Sequence, residues 1–314
     1  MNRDDVTWQG YWPACPTPFH RDGSYDPDSH RALLELYLEL GVHGVLINGT
    51  TGEWFSQTAD ERRLVAETAL EQVAGRVPVV VGCAAYTARE AGEIGRHAIA
   101  AGAAGVESTP PPYAKTYDDE TVAYYEDLAN GVDGPVLVYN WPHGTTIDIG
   151  PELASRLVEI DNVVALKDST PNAAQFYETT KAVVGRVRVF GPFMSVEGFE
   201  RLLADGGDGF IGGGCIFGAP DPQFWEAYWR GDHDACRAHA VRVDRLFPKL
   251  WLPGGWGGVY AAYQSQLKAI MAMIGQPGGW PRRPRLPLTD PASLEAIRVI
   301  LAEESLLPEE AGVA

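Results

Sequence analysis

The lysines of this chain are Lys115, Lys167, Lys181, Lys249 and Lys268, and one of them stands where its chemistry must change. Lys167 follows Val163-Val164-Ala165-Leu166 inside an apolar run that reads as a buried strand. An ammonium placed there must find a counter-charge or lose its proton, because desolvation drives its pKa down. A neutral amine is the nucleophile that attacks a carbonyl to form a Schiff base. The competing reading is an ion pair between Lys167 and Asp168 or another carboxylate at a barrel mouth. The other four lysines fall in predicted loops or helices and ask for no special role.

A phenol ends another apolar run, PVLVYN (135–140). In a closed barrel, Tyr139 at that strand end comes within reach of Lys167 on the next strand. It can pass a proton between amine, carbinolamine and substrate hydroxyl. A rim tyrosine bonded to backbone is the plainer alternative. The run Gly49-Thr50-Thr51-Gly52 offers two hydroxyls and unobstructed amides, which suit a small carboxylate or simply a tight turn. Trp141, His143, Thr145 and Thr146 follow Tyr139, and Trp54 and Phe55 follow Glu53. That aromatic and hydroxyl-bearing set suits a neutral polyol or an aromatic aldehyde, with His143 a candidate to hydrogen-bond a substrate hydroxyl. Gly212, Gly213 and Gly214 would admit substrate close to the backbone, cradle a phosphate, or pack tightly at a rim.

Elements able to gather these groups follow from the hydrophobic pattern. Short apolar runs at 12–18, 44–48, 77–82, 105–109, 135–140, 162–168, 187–191 and 208–213 read as strands. Helical stretches are predicted at 29–40, 59–74, 87–101, 118–130, 151–160, 172–184, 195–204 and 222–229, the first two capped by Asp28 and Thr58. The strands are near-continuously apolar, as in a parallel sheet covered by helices. This alternation is that of an α/β chain forming a (β/α)8 TIM barrel. An open doubly wound sheet would want a glycine-rich turn after its first strand, and CPTPFHRDG is not one. The expected division is a barrel over 1–231 and a C-terminal helical extension over 232–314. The extension would carry helices at 232–250, 258–274 and 292–305. The arginines of its linker QPGGWPRRPRLPL (276–288) are assigned to solubility or a subunit contact, not to an anion site. Barrel enzymes gather their chemistry at the carboxyl ends of the strands, where Thr50, Tyr139 and Lys167 fall.

Composition removes several function classes. Acidic residues outnumber basic ones 42 to 25, a formal charge of −17, so nucleic acid and anionic membranes are poor partners. No run approaches the roughly 18 apolar residues of a membrane helix. The start MNRDDVTWQG lacks the layout of a signal peptide, so a cytoplasmic location is expected. Cys15, Cys83, Cys215 and Cys236 stand far apart and read as small buried hydrophobes. His233, Cys236 and His239 are spaced by three with no fourth ligand nearby, so a solvated helix face is expected there and not a metal site.

GTTGE (49–53), YNWP (139–142) and ALKDST (165–170), in this order and at these separations, resemble the dihydrodipicolinate synthase/N-acetylneuraminate lyase family. WPACPTPF (12–19) and DGFIGGG (208–214) fit it too, and the resemblance covers almost the entire chain. It implies a class I enzyme acting through an imine on pyruvate or a pyruvate-derived 2-keto acid, with no metal or organic cofactor. By position, Lys167 would form the imine and Tyr139 would shuttle protons. Thr50 and Thr51, in the turn opened by Gly49, would hold the keto-acid carboxylate, and Thr50 would also relay protons to Tyr139. A homotetramer built from tight dimers is implied as well. Two departures stand out. True synthases carry an arginine five residues after the shuttle tyrosine, where it binds the aldehyde's carboxylate, and this chain has Gly144 there. They also contribute a tyrosine across the dimer after the strand-four proline, and the candidate here is Tyr113. The expected activity is therefore a lyase or aldolase on a 2-keto-3-deoxy sugar acid or related aldol. Dehydration or hydration through the same imine, a synthase-like condensation, and keto-acid binding without turnover are the alternatives.

Overall fold

The computed structural model describes residues 1–308. Eight parallel strands close into a barrel in chain order. They are β1 (Gly10–Ala14), β2 (Val45–Ile47), β3 (Val79–Gly82), β4 (Gly105–Ser108), β5 (Val136–Asn140), β6 (Val163–Asp168), β7 (Arg188–Phe190) and β8 (Gly209–Gly213). The helices around it are α1 (Pro27–Glu39), α2 (Ala59–Val73), α3 (Ala88–Ala100), α4 (Asp118–Gly131), α5 (Pro142–Thr145), α6 (Pro151–Leu157), α7 (Ala173–Val183), α8 (Val196–Asp205) and α9 (Pro220–Trp229). The extension follows as α10 (His233–Leu250), α11 (Tyr263–Met273) and α12 (Pro291–Glu303). This is the expected (β/α)8 barrel with helices appended.

Boundaries shift where local chemistry overrides the hydrophobic pattern. β1 stops at Ala14, ahead of Pro16 and Pro18, which have no N–H to continue a ladder. α1 starts at Pro27, whose fixed φ suits the first helical position, so the cap is Asp26 and not Asp28. Asp26 Oδ1 accepts from the Ser29 amide at 3.0 Å. Thr58 caps α2 as expected, in a reciprocal pair with Glu61. α11 begins at Tyr263 and not at 258, because the glycine-rich GGWGG stretch forms a loop with one 3-10 turn at Pro253–Gly255.

Two apolar layers hold the structure. Outward strand residues such as Val45, Val81, Val106 and Val138 pack against the helices. The lumen is filled by Trp8, Trp12, Leu46, Val80, Leu137, Ala165 and Phe190. Trp12 meets Trp8 and Phe190 edge-on, with centroids 5.8 and 5.5 Å apart. A Cβ on Gly44 would overlap the Trp12 ring, so only glycine lets the indole lie across the barrel. Burying such a side chain contributes on the order of 2–3 kcal/mol. These rings also plug the lower lumen, which leaves chemistry to the other end.

The expectation of a solvated face at His233, Cys236 and His239 is overturned. Cys236 and His239 are buried against α9, with Cys236 Sγ donating to the Phe224 carbonyl at 3.4 Å and His239 Nε2 lying 3.3 Å from Asp221 Oδ1. The helix turns this edge inward because the extension folds back on the barrel. All four cysteines are buried and unpaired. Among the described residues, no helix is long and apolar enough to cross a membrane.

Candidate active site

β5 and β6 pair in a register that sets Tyr139 beside Lys167 and Asn140 beside Asp168. Strand alternation then sends the first pair into the lumen and the second outward toward the helices. Lys167 is 6% exposed, and its Nζ lies 3.7 Å from the centre of the Tyr139 ring. The carboxylate that meets this ammonium is Glu107 of β4, with Oε1 at 3.9 Å, and not its neighbour Asp168. Burial lowers the Lys167 pKa to about 8, and Glu107 works in the opposite direction. The Tyr139 phenol is pushed well up by burial, with Ser169 pulling back through a hydrogen bond. It is an acid that releases a proton only to a strong base formed beside it.

Asp168 has a different task. Its Oδ1 accepts from Asn140 Nδ2 at 2.9 Å and from the Thr170 amide at 2.8 Å. Asn140 Nδ2 also donates to Asp148 Oδ1 at 2.9 Å, and its Oδ1 accepts from the Ile149 amide at 3.0 Å. The polar half of YNWP and ALKDST is thus a clamp behind the strands that fixes the ends carrying Tyr139 and Lys167. Burial pushes the Asp168 carboxyl up to about 7.

The GTTGE turn is held from above by the extension. Glu53 is buried with φ +58°, and its Oε1 lies 2.6 Å from Lys268 Nζ. Lys268 also donates to the carbonyls of Thr17 and Trp280, at 2.7 and 2.8 Å. The Arg282 amide donates to Glu53 Oε2 at 2.9 Å. Gln264 Nε2 donates to the Thr50 carbonyl at 2.9 Å, and the Tyr263 hydroxyl bonds with Thr51. Lys268 therefore does need a special reading. It is the counter-ion that lets a glutamate sit buried in the GTTGE turn.

These residues open into a cavity of about 590 Å³ at the carboxyl end of the barrel, lined by Thr50, Thr51, Tyr139, Trp141, Lys167 and Gly213. Gly49 is buried below the turn against Leu46 and does not line it. Tyr113 is 92% exposed at φ +76° and lies outside the cavity of its own chain. His143 also lies outside, stacked on Trp256 at 5.3 Å. Thr145 is turned inward to bond the Trp141 carbonyl at 3.2 Å, Thr146 is exposed, Trp54 covers Arg62 and Phe55 lies under Arg285. Of that set Trp141 does line the cavity, and the extension adds Phe247, Trp251, Trp256 and Tyr263 to its aromatic wall. Tyr263 and Leu267 fill the space above Gly213 and Gly214, which leaves no phosphate cradle there.

Sequence reasoning missed Glu107, Arg285 and the wall of the extension. Arg285 of the 276–288 linker lines the cavity and donates from Nε to Gln264 Oε1 at 2.9 Å, so that linker is more than a solubilising surface. Glu107 had a signal, a charge within the apolar run GVES. Arg285 and the aromatic wall had none, since only the fold brings residues 247–285 over the barrel. Among the described residues, no group of three or more His, Cys, Asp or Glu gathers as metal ligands would.

Comparison with known proteins agrees with this geometry. A family model described as the dihydrodipicolinate synthetase family matches residues 7–303. An uncharacterized DapA-like lyase of Rhizobium meliloti is 33% identical over 90% of this chain and 92% of its own. The probable 2-dehydro-3-deoxy-D-pentonate aldolase YjhH of Escherichia coli K12 is 28% identical over 96% of this chain and 99% of its own. The crystal structure of YagE, a prophage protein of the dihydrodipicolinic acid synthase family from E. coli K12 in complex with pyruvate, superposes with a TM-score of 0.83 at 26% identity. That likeness covers 96% of this chain and 100% of YagE. With the barrel, the lumenal lysine and phenol and the GTTGE turn in place, the chain belongs to the dihydrodipicolinate synthetase family of class I lyases.

Proposed function

We propose that this protein is an aldolase that cleaves or forms the bond between pyruvate and an aldehyde through an imine on Lys167, with a 2-keto-3-deoxy sugar acid or related aldol as substrate. The observation that carries this reading is the buried Lys167 amine against the Tyr139 ring, 3.7 Å from its centre, at the cavity floor. The amine adds to the keto carbon, and Tyr139 moves protons between nitrogen, oxygen and the substrate hydroxyl. Thr50 and Thr51 hold the keto-acid carboxylate. The resulting enamine is the carbon nucleophile, and the aldehyde half occupies the upper cavity between Trp141, Trp251, Trp256 and Arg285. Arg285 supplies donors for hydroxyl or carboxylate oxygens at that end. Gly144 argues against the synthase condensation, and the name of the pentonate aldolase relative supports a sugar-acid aldol.

The reading includes a cytoplasmic homotetramer of tight dimers with no cofactor, in which the exposed Tyr113 belongs to a subunit contact; sedimentation of the full chain reads the assembly. Borohydride reduction in the presence of pyruvate should fix a pyruvate-sized mass on Lys167. A panel of 2-keto-3-deoxy acids then separates the chemistries, since only cleavage releases free pyruvate, while dehydration keeps the carbon chain whole. Label elsewhere or nowhere, or equal keto-acid binding by wild type and Lys167→Ala without turnover, would sink the proposal.

A further inference from the structure

Among the described residues, Glu107 is the one buried carboxylate within ion-pair distance of Lys167, and the mechanism above leaves it unused. It sits in β4, 2% exposed, and its Oε1 accepts no hydrogen bond. Two cations act on it, Lys167 first and Arg62 second, and both oppose the upward push that burial gives its pKa. Arg62 of α2 keeps its charge but makes no direct contact with the carboxylate, since its Nη1 and Nη2 donate to the carbonyls of Ala84 and Gly82, both at 2.9 Å. Tyr124 of α4 shares a hydrogen bond with Ser108 Oγ at 3.0 Å, and Tyr125 donates to the Ser108 carbonyl at 2.7 Å. Cys83, just after β3, and Tyr139 of β5 are neutral thiol and phenol raised by burial. Among the described residues, the cation within ion-pair distance is Lys167, whose Nζ is 3.9 Å away. A carboxylate so dry persists only beside a cation or with a proton of its own.

We propose that Glu107 is the internal counter-ion of the imine-forming lysine, holding the Lys167 proton while the amine attacks and balancing the iminium that follows. The inference rests on Lys167 forming an imine. In the resting pair Lys167 is an ammonium and Glu107 a carboxylate. Proton transfer between them gives amine and carboxylic acid. The nitrogen lone pair then adds to the ketone carbon while Tyr139 gives its proton to the oxygen and takes one from nitrogen, which leaves a neutral carbinolamine. When the carbon–oxygen bond breaks, the hydroxyl leaves as water with the Tyr139 proton, and the Glu107 acid restores that proton to the phenolate. The end state is an iminium cation beside a carboxylate, with one water released and no net proton exchanged with solvent. Charge inside the barrel is the same before and after.

This conservation makes the prediction specific. Without a carboxylate at 107, Lys167 rests as a neutral amine over more of the pH range, and iminium formation must then take a proton from solvent. The fraction of Lys167 reduced by borohydride at saturating pyruvate should be nearly flat from about pH 6 to 7, below the Lys167 pKa of about 8, in wild type. In Glu107→Gln it should fall toward tenfold per pH unit across the same range, and approach the wild-type level at the acid end. Glu107→Asp, which keeps a carboxylate, should restore a flatter profile, and circular dichroism of both variants reports folding. If Glu107→Gln misfolds, a flat profile in Glu107→Asp supports the proposal and a steep one overturns it. Superimposable profiles for wild type and a folded Glu107→Gln overturn the counter-ion role while leaving the imine intact. Absence of label on wild-type Lys167 overturns the imine and the inference together.

Discussion

The indole of Trp141 occupies the space that a side chain at position 144 would need. A Cβ built on Gly144 falls inside the envelope of Trp141 Cζ3 and Cε3, while Trp141 stacks on Tyr139 with ring centres 6.4 Å apart. The missing arginine is therefore more than a substitution. The turn through α5 sets an aromatic face against position 144.

Gly144→Arg alone should destabilise the protein without creating a carboxylate site. Forcing atoms into a filled position costs about 1–3 kcal/mol. The urea midpoint should fall accordingly and recover largely when Trp141→Ala is added, because the two side chains compete for one volume. An unchanged midpoint in the single variant would mean that Trp141 swings aside freely.

Asp168 gives stability a pH dependence of known sign. Its carboxyl stands at about 7 when folded against the ordinary 3.8, so the native state keeps a proton that the unfolded chain releases. The stabilisation is complete below the unfolded value and is lost as pH rises through about 7. A shift of this size corresponds to about 4 kcal/mol, fully expressed only across the whole interval. Asp168→Asn keeps both acceptor contacts of Oδ1 and carries no charge. Its unfolding free energy should change by at least about 2 kcal/mol less than wild type between pH 5 and 8 in urea titrations.

The Glu53–Lys268 pair couples the extension to the GTTGE turn. Lys268→Met leaves Glu53 buried without its cation, a loss of about 3–5 kcal/mol. The double variant Glu53→Gln with Lys268→Met should recover most of it, since no lone charge remains. Because the same turn carries Thr50 and Thr51, the single variant should also raise the KM for pyruvate. Equal denaturation midpoints for single and double variants would refute the coupling.

Arg285 should act on one half of the substrate only. Arg285→Leu is expected to raise the KM for the aldol or aldehyde about tenfold or more, the scale of a charge-assisted hydrogen bond of about 1.5–3 kcal/mol. Labelling of Lys167 by pyruvate and borohydride should stay at the wild-type level. A parallel loss of both would place Arg285 with the pyruvate carboxylate.

Much of this molecule is written locally. Alternating apolar runs and caps specify strands and helices one at a time, and short parallel strands bury both faces either as an open sheet covered by helices on each side or by closing into a barrel, which is what this chain does. A lysine inside an apolar run must be paired or neutral wherever the run goes, so Lys167 stood out without a structure. The same argument applied to Glu107 in GVES, and a second charge in a dry strand was legible by the same rule. The register of β5 on β6 then decided that Tyr139 and Lys167 share the lumen while Asn140 and Asp168 share the back. Pairing across the lumen depends on how strands are staggered around the barrel, which no single segment encodes. For that reason the lysine's partner proved to be Glu107 and not the adjacent Asp168. The walls of the upper cavity are likewise a product of the extension folding over the barrel, which brings Trp251, Tyr263 and Arg285 above residues two hundred positions earlier in the chain. Sequence fixes what each segment must bury; only closure of the barrel and docking of the extension decide which buried groups meet.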